Sequence, residues 1–262
     1  MPFIENQGLK IYWEEHGEGE PLVLIMGLAS TLDMWHRTLP VMKEKYRTIL
    51  IDNRGVGRSD VPMFPYSIAH MADDVARVMD AAEIECARIF GISMGGMIAQ
   101  EFTLNYPERV QSLVLGCTNF GGRQIKPASP QVLDILKSRA MMPPAEAAWA
   151  MAPYIYDKST PRELIEEDLA IRLQWNPTLE GYLGQIGAIF TWESRERLSQ
   201  INVPTLVIHG ETDELVPPEN GQMLADLIPN ARLVMIPDAS HIFVTDKPES
   251  SYQAILGFLE EN

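Results

Sequence analysis

Short apolar segments alternate with helical patterns along most of this chain. Six segments rich in Val, Ile and Leu have the length of a strand, at residues 21–26, 47–52, 87–92, 110–116, 204–209 and 231–236. Strands without polar positions are typical of a parallel sheet that is covered on both faces. Helical spacing is present at 34–44, 67–82 and 94–105. The sequence therefore predicts an α/β fold with a doubly wound, mostly parallel sheet.

The first fifteen residues follow a different pattern. Residues 3–15 alternate between apolar and polar side chains around Asn6, Gln7 and Gly8. Alternation around a glycine turn is typical of an antiparallel hairpin. We expect this hairpin to cover one edge of the sheet.

The alternation stops between about Asn119 and Ser199. This segment combines helical patterns with seven prolines and many large apolar side chains. We interpret residues 119–199 as a helical cap inserted into an α/β core of residues 1–118 and 200–262. The apolar side chains either form the core of the cap or line a pocket. Among them Trp149 and Trp192, together with Gly27, are our candidates for substrate contact.

Charge and cysteine content narrow the classes of partner. With 21 Lys and Arg against 36 Asp and Glu, the 262-residue chain carries a net charge of −15. Such a surface repels nucleic acid and anionic membranes. Cys86 and Cys117 both lie in apolar runs, which predicts two buried thiols.

We see no signal peptide and no apolar run of 18 residues, so we expect a cytoplasmic protein. A homo-oligomer is also possible.

One motif indicates nucleophilic catalysis. Residues 91–95 read G-I-S-M-G, directly after the strand 87–92 and at the start of the helix 94–105. A G-x-S-x-G motif between a strand and a helix is typical of a nucleophile elbow, a sharp turn that exposes the serine hydroxyl. The sequence therefore predicts Ser93 as the nucleophile.

A serine nucleophile needs a base and a carboxylate that orients the base. Of the five histidines, His241 is the one that follows the last strand, at the edge where open α/β sheets bind ligands. Asp213 follows the strand 204–209, which gives the order Ser, Asp, His along the chain. Asp238 is the main alternative, with Glu211, Glu214 and Asp246 as weaker ones. We predict Ser93, Asp213 and His241 as the catalytic residues.

An oxyanion hole requires two backbone N–H groups that point at the developing negative charge. One is expected from Met94, which directly follows the nucleophile. The other is expected from Leu28, because Gly27 lets the loop after strand 21–26 turn towards Ser93.

Other motifs carry no catalytic prediction. The glycines at 55 and 57 lack the third glycine of a dinucleotide site, and we interpret them as a turn. No pair of cysteines or histidines has the spacing of metal ligands, so we expect no metal and no cofactor. The acidic residues 166–168 are interpreted as a solvated helix face.

Several longer segments resemble the α/β-hydrolase superfamily. They are DMWHRTLPVM at 33–42, DNRGVGRSDVP at 52–62, FPYSIAHMADDVARVMDAAEI at 64–84, FGISMGGMIAQEF at 90–102 and YPERVQSLVL at 106–115. Within the superfamily they are similar to the group of 3-oxoadipate enol-lactonases and carboxylesterases. The resemblance implies the same catalytic residues and the same two oxyanion donors. A serine at position 93, where haloalkane dehalogenases and epoxide hydrolases have aspartate, argues against those two activities.

The first hypothesis is a carboxylesterase that acts on small, mostly apolar esters or lactones. The second is an enol-lactonase, whose anionic substrate needs a cationic anchor in the pocket. The candidates are Arg123, Lys126, Lys137, Arg139, Lys158, Arg162, Arg172, Arg195 and Arg197. The third hypothesis is a ligand receptor of the same fold with slow turnover, which rates of ester hydrolysis would distinguish.

Overall fold

The computed structural model describes residues 2–63 and 65–262, and only the backbone at residue 140. Its strands are β1 Phe3–Asn6, β2 Leu9–His16, β3 Glu20–Ile25, β4 Tyr46–Ile51, β5 Ala87–Ile92, β6 Val110–Gly116, β7 Thr205–Gly210 and β8 Ala231–Ile236. They form one sheet in the order β1-β2-β4-β3-β5-β6-β7-β8. The pairs β1–β2 and β2–β4 are antiparallel, and the other pairs are parallel.

Helices connect these strands. They are α1 Leu39–Met42, α2 Ile68–Ala81, α3 Met94–Asn105, α4 Pro130–Ser138, α5 Pro144–Ile155, α6 Arg162–Arg172, α7 Leu179–Phe190, α8 Glu219–Leu227, α9 Phe243–Asp246 and α10 Pro248–Glu261. Short 3-10 helices lie at Leu32–Trp35, Pro107–Arg109, Arg139–Met141 and Arg195–Gln200. None of the helices described is long and apolar enough to cross a lipid bilayer.

The sheet is covered on both faces, because successive side chains of a strand point to opposite sides. On β3, Val23 and Ile25 pack into a core with α2, α3 and α8. Their neighbours Leu22 and Leu24 pack into a second core with α1, α9 and α10. This arrangement confirms the doubly wound sheet that the unbroken apolar strands predicted.

The predicted elements agree with the structure at most positions. The strands at 87–92, 110–116 and 231–236 have the predicted bounds, the others shift by one residue, and β1 and β2 form the predicted hairpin. The helix predicted at 34–44 is wrong as a single element. The chain forms the 3-10 helix Leu32–Trp35 and then α1, because Pro40 would remove a hydrogen bond from a continuous helix and clash with the preceding turn.

Helices α4 to α7 lie between β6 and β7 along the chain, although these two strands are neighbours in the sheet. We refer to Pro130–Phe190 as the inserted helices. A bridge between Gly121 and Glu193 joins the residues that precede and follow the inserted helices, and the Ser194 N–H donates to the Phe120 carbonyl over 2.8 Å. The chain therefore leaves the sheet and returns to it at one place.

Two expectations from the sequence need correction. Cys117 is buried as predicted, but Cys86 is exposed, since it lies in the turn before β5 and not in the strand. Asp168 is not on a solvated face of α6. Its fully buried carboxylate accepts hydrogen bonds from Arg37, Tyr156 and Thr245, which lie on three other elements.

Candidate active site

Ser93 occupies the turn between β5 and α3. Its backbone has φ 57° and ψ −121°, a strained conformation for a residue with a side chain. The surrounding strand ends hold this conformation: the Ser93 N–H donates to the Gly116 carbonyl over 2.8 Å, and the Thr118 hydroxyl donates to the Ser93 carbonyl over 2.7 Å. These two hydrogen bonds, to residues at and just after the end of β6, therefore stabilise the strained conformation. The side chain projects from the carboxyl edge of the sheet.

Two glycines permit this tight turn. A Cβ at Gly91 would overlap the backbone of Gly95, and a Cβ at Gly95 would overlap the carbonyl of Ile25 on β3. Both obstacles are backbone atoms, which cannot rotate away as a side chain can. The G-x-S-x-G spacing thus reflects how closely α3 approaches the sheet.

We expect Gly95→Ala to lower the free energy of unfolding by about 2–3 kcal/mol, because the added methyl group must displace the backbone of β3. Urea denaturation monitored by circular dichroism measures this change. Gly257→Ala is the matched control: no atom of the residues that the structure describes lies within 4 Å of its added Cβ in α10, so it should stabilise the protein by about 0.5–1 kcal/mol. Equal midpoints for the two variants would contradict the prediction.

His241 and Asp213 are brought together from the loops that follow β8 and β7. The ring atom Nδ1 of His241 lies 2.8 Å from Oδ2 of Asp213, and both residues are buried. A carboxylate only accepts hydrogen bonds, so Nδ1 carries the proton and Nε2 is the basic atom of the neutral ring. The alternative acid, Asp238, is exposed and has φ 51° in the turn after β8.

Asp213 remains a carboxylate despite its burial. Loss of solvent by itself would raise its pKa, but the charges and hydrogen bonds of His241 and His209 outweigh that effect and hold the pKa well below its ordinary value. The N–H groups of Leu215 and Val216 donate to Oδ1 over 2.9 and 2.8 Å. Oδ2 is therefore left to face the two imidazoles.

His209, on β7, is a second histidine beside the acid that the sequence did not single out. It is fully buried, with Nε2 2.7 Å from the Val216 carbonyl and 3.4 Å from Asp213 Oδ2. With Cys117 it forms a group that could hold a metal ion around Asp213. However, burial, followed by the Asp213 charge, holds the pKa of the Cys117 thiol well above its ordinary value, and a protonated thiol is a poor ligand. We therefore interpret His209 and Cys117 as neighbours that hold the Asp213 carboxylate in place, and not as metal ligands.

Ser93 and His241 line the same cavity. Among the described residues the Ser93 hydroxyl has no hydrogen-bond partner, and it faces the open space together with the His241 ring. Hydrogen bonds between a nucleophile and its base commonly tighten only when substrate binds. The structure thus places the three predicted residues at one edge of the sheet, with the base–acid contact formed.

The two predicted oxyanion donors also border this cavity. Leu28 follows β3 and Met94 begins α3, and neither N–H has an acceptor among the hydrogen bonds of the described residues. The partial positive charge at the N-terminus of α3 adds to the field at this point. Gly27 lies against Ser93: a Cβ there would stand 3.1 Å from the Ser93 Cβ.

Gln185 of α7 is a residue of this site that the sequence analysis missed. Its fully buried side chain accepts the Ala29 N–H over 2.8 Å and donates to the Arg54 carbonyl over 3.0 Å. Ala29 has φ 56°, another strained position, directly after Leu28. The inserted helices therefore hold the loop that carries a predicted oxyanion donor. A glutamine within the mostly apolar helix α7 is the sign of this role in the sequence.

The cavity has a volume of about 480 Å³ and a mostly apolar wall, made of strand ends and inserted helices. Among the described residues, neither Trp149 nor Trp192 is part of that wall. Trp149 is partly exposed and stacks on Arg162, while the ring N–H of Trp192 donates to Glu101 beneath the sheet edge. Smaller side chains, including Met151 and Ile186, line the cavity where the tryptophans were predicted.

Comparison with known proteins adds four similarities. A family model for the α/β hydrolase fold matches residues 20–248. The chain is 30% identical to the putative carbamate hydrolase RutD of Azorhizobium caulinodans, over 100% of this chain and 99% of the relative. It is 29% identical to 3-oxoadipate enol-lactonase 2 of Acinetobacter baylyi, over 96% and 94% of the two chains. The solved structure of the esterase EaEST from Exiguobacterium antarcticum has a TM-score of 0.88 at 26% identity, with 98% of each chain covered.

Proposed function

This chain belongs to the α/β hydrolase fold family, and from that membership we propose that it is a serine hydrolase that cleaves carboxylic esters of small, mostly apolar compounds. The observation that carries the proposal is the 2.8 Å contact between His241 Nδ1 and Asp213 Oδ2 at the wall of the cavity that also exposes Ser93. A base whose proton position is set in this way is suited to activate a hydroxyl.

In the proposed reaction the Ser93 Oγ attacks the acyl carbon while His241 Nε2 removes its proton. The Asp213 carboxylate holds the ring and stabilises its positive charge. The carbonyl oxygen becomes an oxyanion, which accepts hydrogen bonds from the N–H groups of Leu28 and Met94. Collapse of this intermediate breaks the ester C–O bond, and His241 gives its proton to the leaving alcohol.

The second half of the cycle releases the acyl group. Water loses a proton to His241 and attacks the acyl-enzyme, and a second oxyanion forms in the same place. When it collapses, the acid leaves and the Ser93 hydroxyl is restored. A lactone follows the same steps, except that the leaving alcohol stays attached to the acyl group throughout, so deacylation releases a single hydroxy acid.

The cavity supports the proposed substrate class. Its volume of about 480 Å³ lies within the range typical of small-molecule sites. Methionine, leucine and isoleucine side chains make up about half of its lining residues, and the inserted helices supply one side of it. We propose that these helices act as the cap that closes over an apolar acyl or alkyl group.

A fluorophosphonate probe tests the proposal. Attack by an activated Ser93 hydroxyl forms an O–P bond and releases fluoride, so mass spectrometry should find the label on the peptide that contains Ser93. Protein unfolded in urea should not be labelled. A panel of p-nitrophenyl esters and lactones then measures turnover: many turnovers per second support an enzyme, whereas labelling with less than one turnover per minute would favour the receptor hypothesis. Absence of the label would overturn the proposal.

A further inference from the structure

The wall of the catalytic cavity carries charge of one sign. Among the described residues that line it are four cations, Arg123, Lys126, Arg139 and Arg172, and no aspartate or glutamate. The whole chain has a net charge of −15. The cavity wall is therefore positively charged although the protein as a whole is strongly negative.

Two of these cations lie inside the inserted helices. Arg139 follows α4 and Arg172 ends α6, and both side chains are half-buried, with the Nε atom of Arg172 fully buried. They stand at the boundary between the catalytic cavity and a second cavity of about 80 Å³, because both line both spaces. By contrast, Arg123 and Lys126 are exposed at the surface. Arg139 and Arg172 are thus the pair that faces an enclosed ligand.

This pair has no counter-ion of its own. Among the described residues, neither guanidinium has a hydrogen-bond acceptor or a carboxylate within 4 Å, and the buried Nε of Arg172 has no partner. The carboxylate of Asp168 is near Arg172, but Arg37, Tyr156 and Thr245 already occupy it. Arg139 stacks on the Tyr182 ring, 5.4 Å from its centroid, which leaves its N–H groups free.

Removal from water makes these charges costly. Desolvation, with a further contribution from the charge of Arg172, lowers the pKa of Arg139 to about 10, and desolvation also lowers the pKa of Arg172. An arginine side chain stays protonated in proteins, so both residues keep their charge at neutral pH. A partly desolvated charge without a partner is unfavourable, so an anion that enters the cavity gains the interaction that the protein does not supply.

We propose that Arg139 and Arg172 form a carboxylate-binding subsite, and that the substrate is an ester or lactone that also carries a carboxylate. The planar carboxylate matches the parallel N–H groups of a guanidinium. Most of the remaining wall is apolar, which suits a single negative charge at the end of a hydrocarbon chain. This inference rests on the proposed function, since the ester bond must lie at Ser93.

Matched ester pairs test the subsite. Mono-p-nitrophenyl adipate carries a free carboxylate on its acyl chain, and p-nitrophenyl methyl adipate has the same chain with the carboxylate capped. A second pair, 5-acetoxypentanoate and its methyl ester, places the carboxylate on the alcohol side. We expect kcat/KM of the native protein to be at least tenfold higher for the anion in one of the two pairs.

Substitutions then show which residues cause the preference for the anionic ester. Arg139→Gln and Arg172→Gln should each lower the ratio of kcat/KM between the anion and its capped twin about 10- to 100-fold. Arg172→Lys keeps the charge without the planar fork and should recover part of the ratio. Arg77→Gln is the matched control: Arg77 is an exposed residue of α2, outside the cavity wall, and should leave the ratio unchanged. Thermal unfolding identifies any variant that fails to fold, in which case the other arginine carries the test.

The outcomes separate this inference from the proposed function. If the native protein hydrolyses both members of each pair equally well, the subsite is overturned and the esterase proposal stands. If the ratio is high but both glutamine variants keep it, another group selects the anion and the assignment is wrong. If no ester of either kind is hydrolysed, the proposed function itself has failed.

Discussion

Ser93→Ala is expected to lower kcat for a p-nitrophenyl ester about a million-fold. Without the hydroxyl no acyl-enzyme forms, and the base and acid have no nucleophile to activate. The activity that remains comes from the oxyanion donors and from substrate binding. Because the alanine removes one oxygen atom from a cavity wall, the fold should not change, which circular dichroism checks.

Ser112→Ala is the matched control for this substitution. Ser112 lies on β6, fully buried, and its hydroxyl has no hydrogen-bond partner within the described part of the chain. Its loss removes an unsatisfied polar group and should leave kcat at the native value. Retention of ordinary esterase activity by Ser93→Ala, after contaminating hydrolases are excluded, would remove the basis of the proposed mechanism.

Asp213→Asn is expected to lower kcat about ten thousand-fold. In the native protein Oδ1 accepts the N–H groups of Leu215 and Val216, and Oδ2 accepts from His241 Nδ1. Asparagine satisfies the two backbone donors only if its oxygen takes the place of Oδ1. Its NH₂ group then faces Nδ1 and requires that atom to be an acceptor. The ring proton moves to Nε2, which can no longer receive the proton of Ser93.

The tautomer of His241 is the decisive measurement for this variant. Nitrogen-15 shifts of the ring should show a proton on Nδ1 in the native protein and on Nε2 in Asp213→Asn. Asp238→Asn is the matched control, because Asp238 is exposed and asparagine tolerates its positive φ. If Asp238→Asn is the less active of the two variants, the acid has been assigned to the wrong loop.

The positions of the proposed catalytic residues could be predicted because each follows a strand. In a parallel sheet the carboxyl ends of neighbouring strands meet at one edge, so residues after β5, β7 and β8 come close together whatever their separation in the chain. Apolar runs mark the strands, and the glycines at 91 and 95 mark the tight turn. These are local properties, which the sequence contains directly.

The residues contributed by the inserted helices could not be predicted in the same way. The sequence offered nine cations as anchors and two tryptophans as substrate contacts, and helical spacing does not say which helix face meets the sheet. The structure brings Arg139 and Arg172 to the cavity and turns Trp149 and Trp192 to other contacts. Gln185 reaches Ala29 across 156 positions in the chain, a contact without a local pattern.

The sequence alone determined the doubly wound sheet, the sharp turn at Ser93 and the loops in which Asp213 and His241 lie, because strand period and steric limits of the backbone act over a few residues. Only the tertiary structure decided which side chains enclose the cavity and which of its charges lack a partner. That outcome depends on how whole helices pack against one another, and packing is settled by contacts between residues that are distant in the chain.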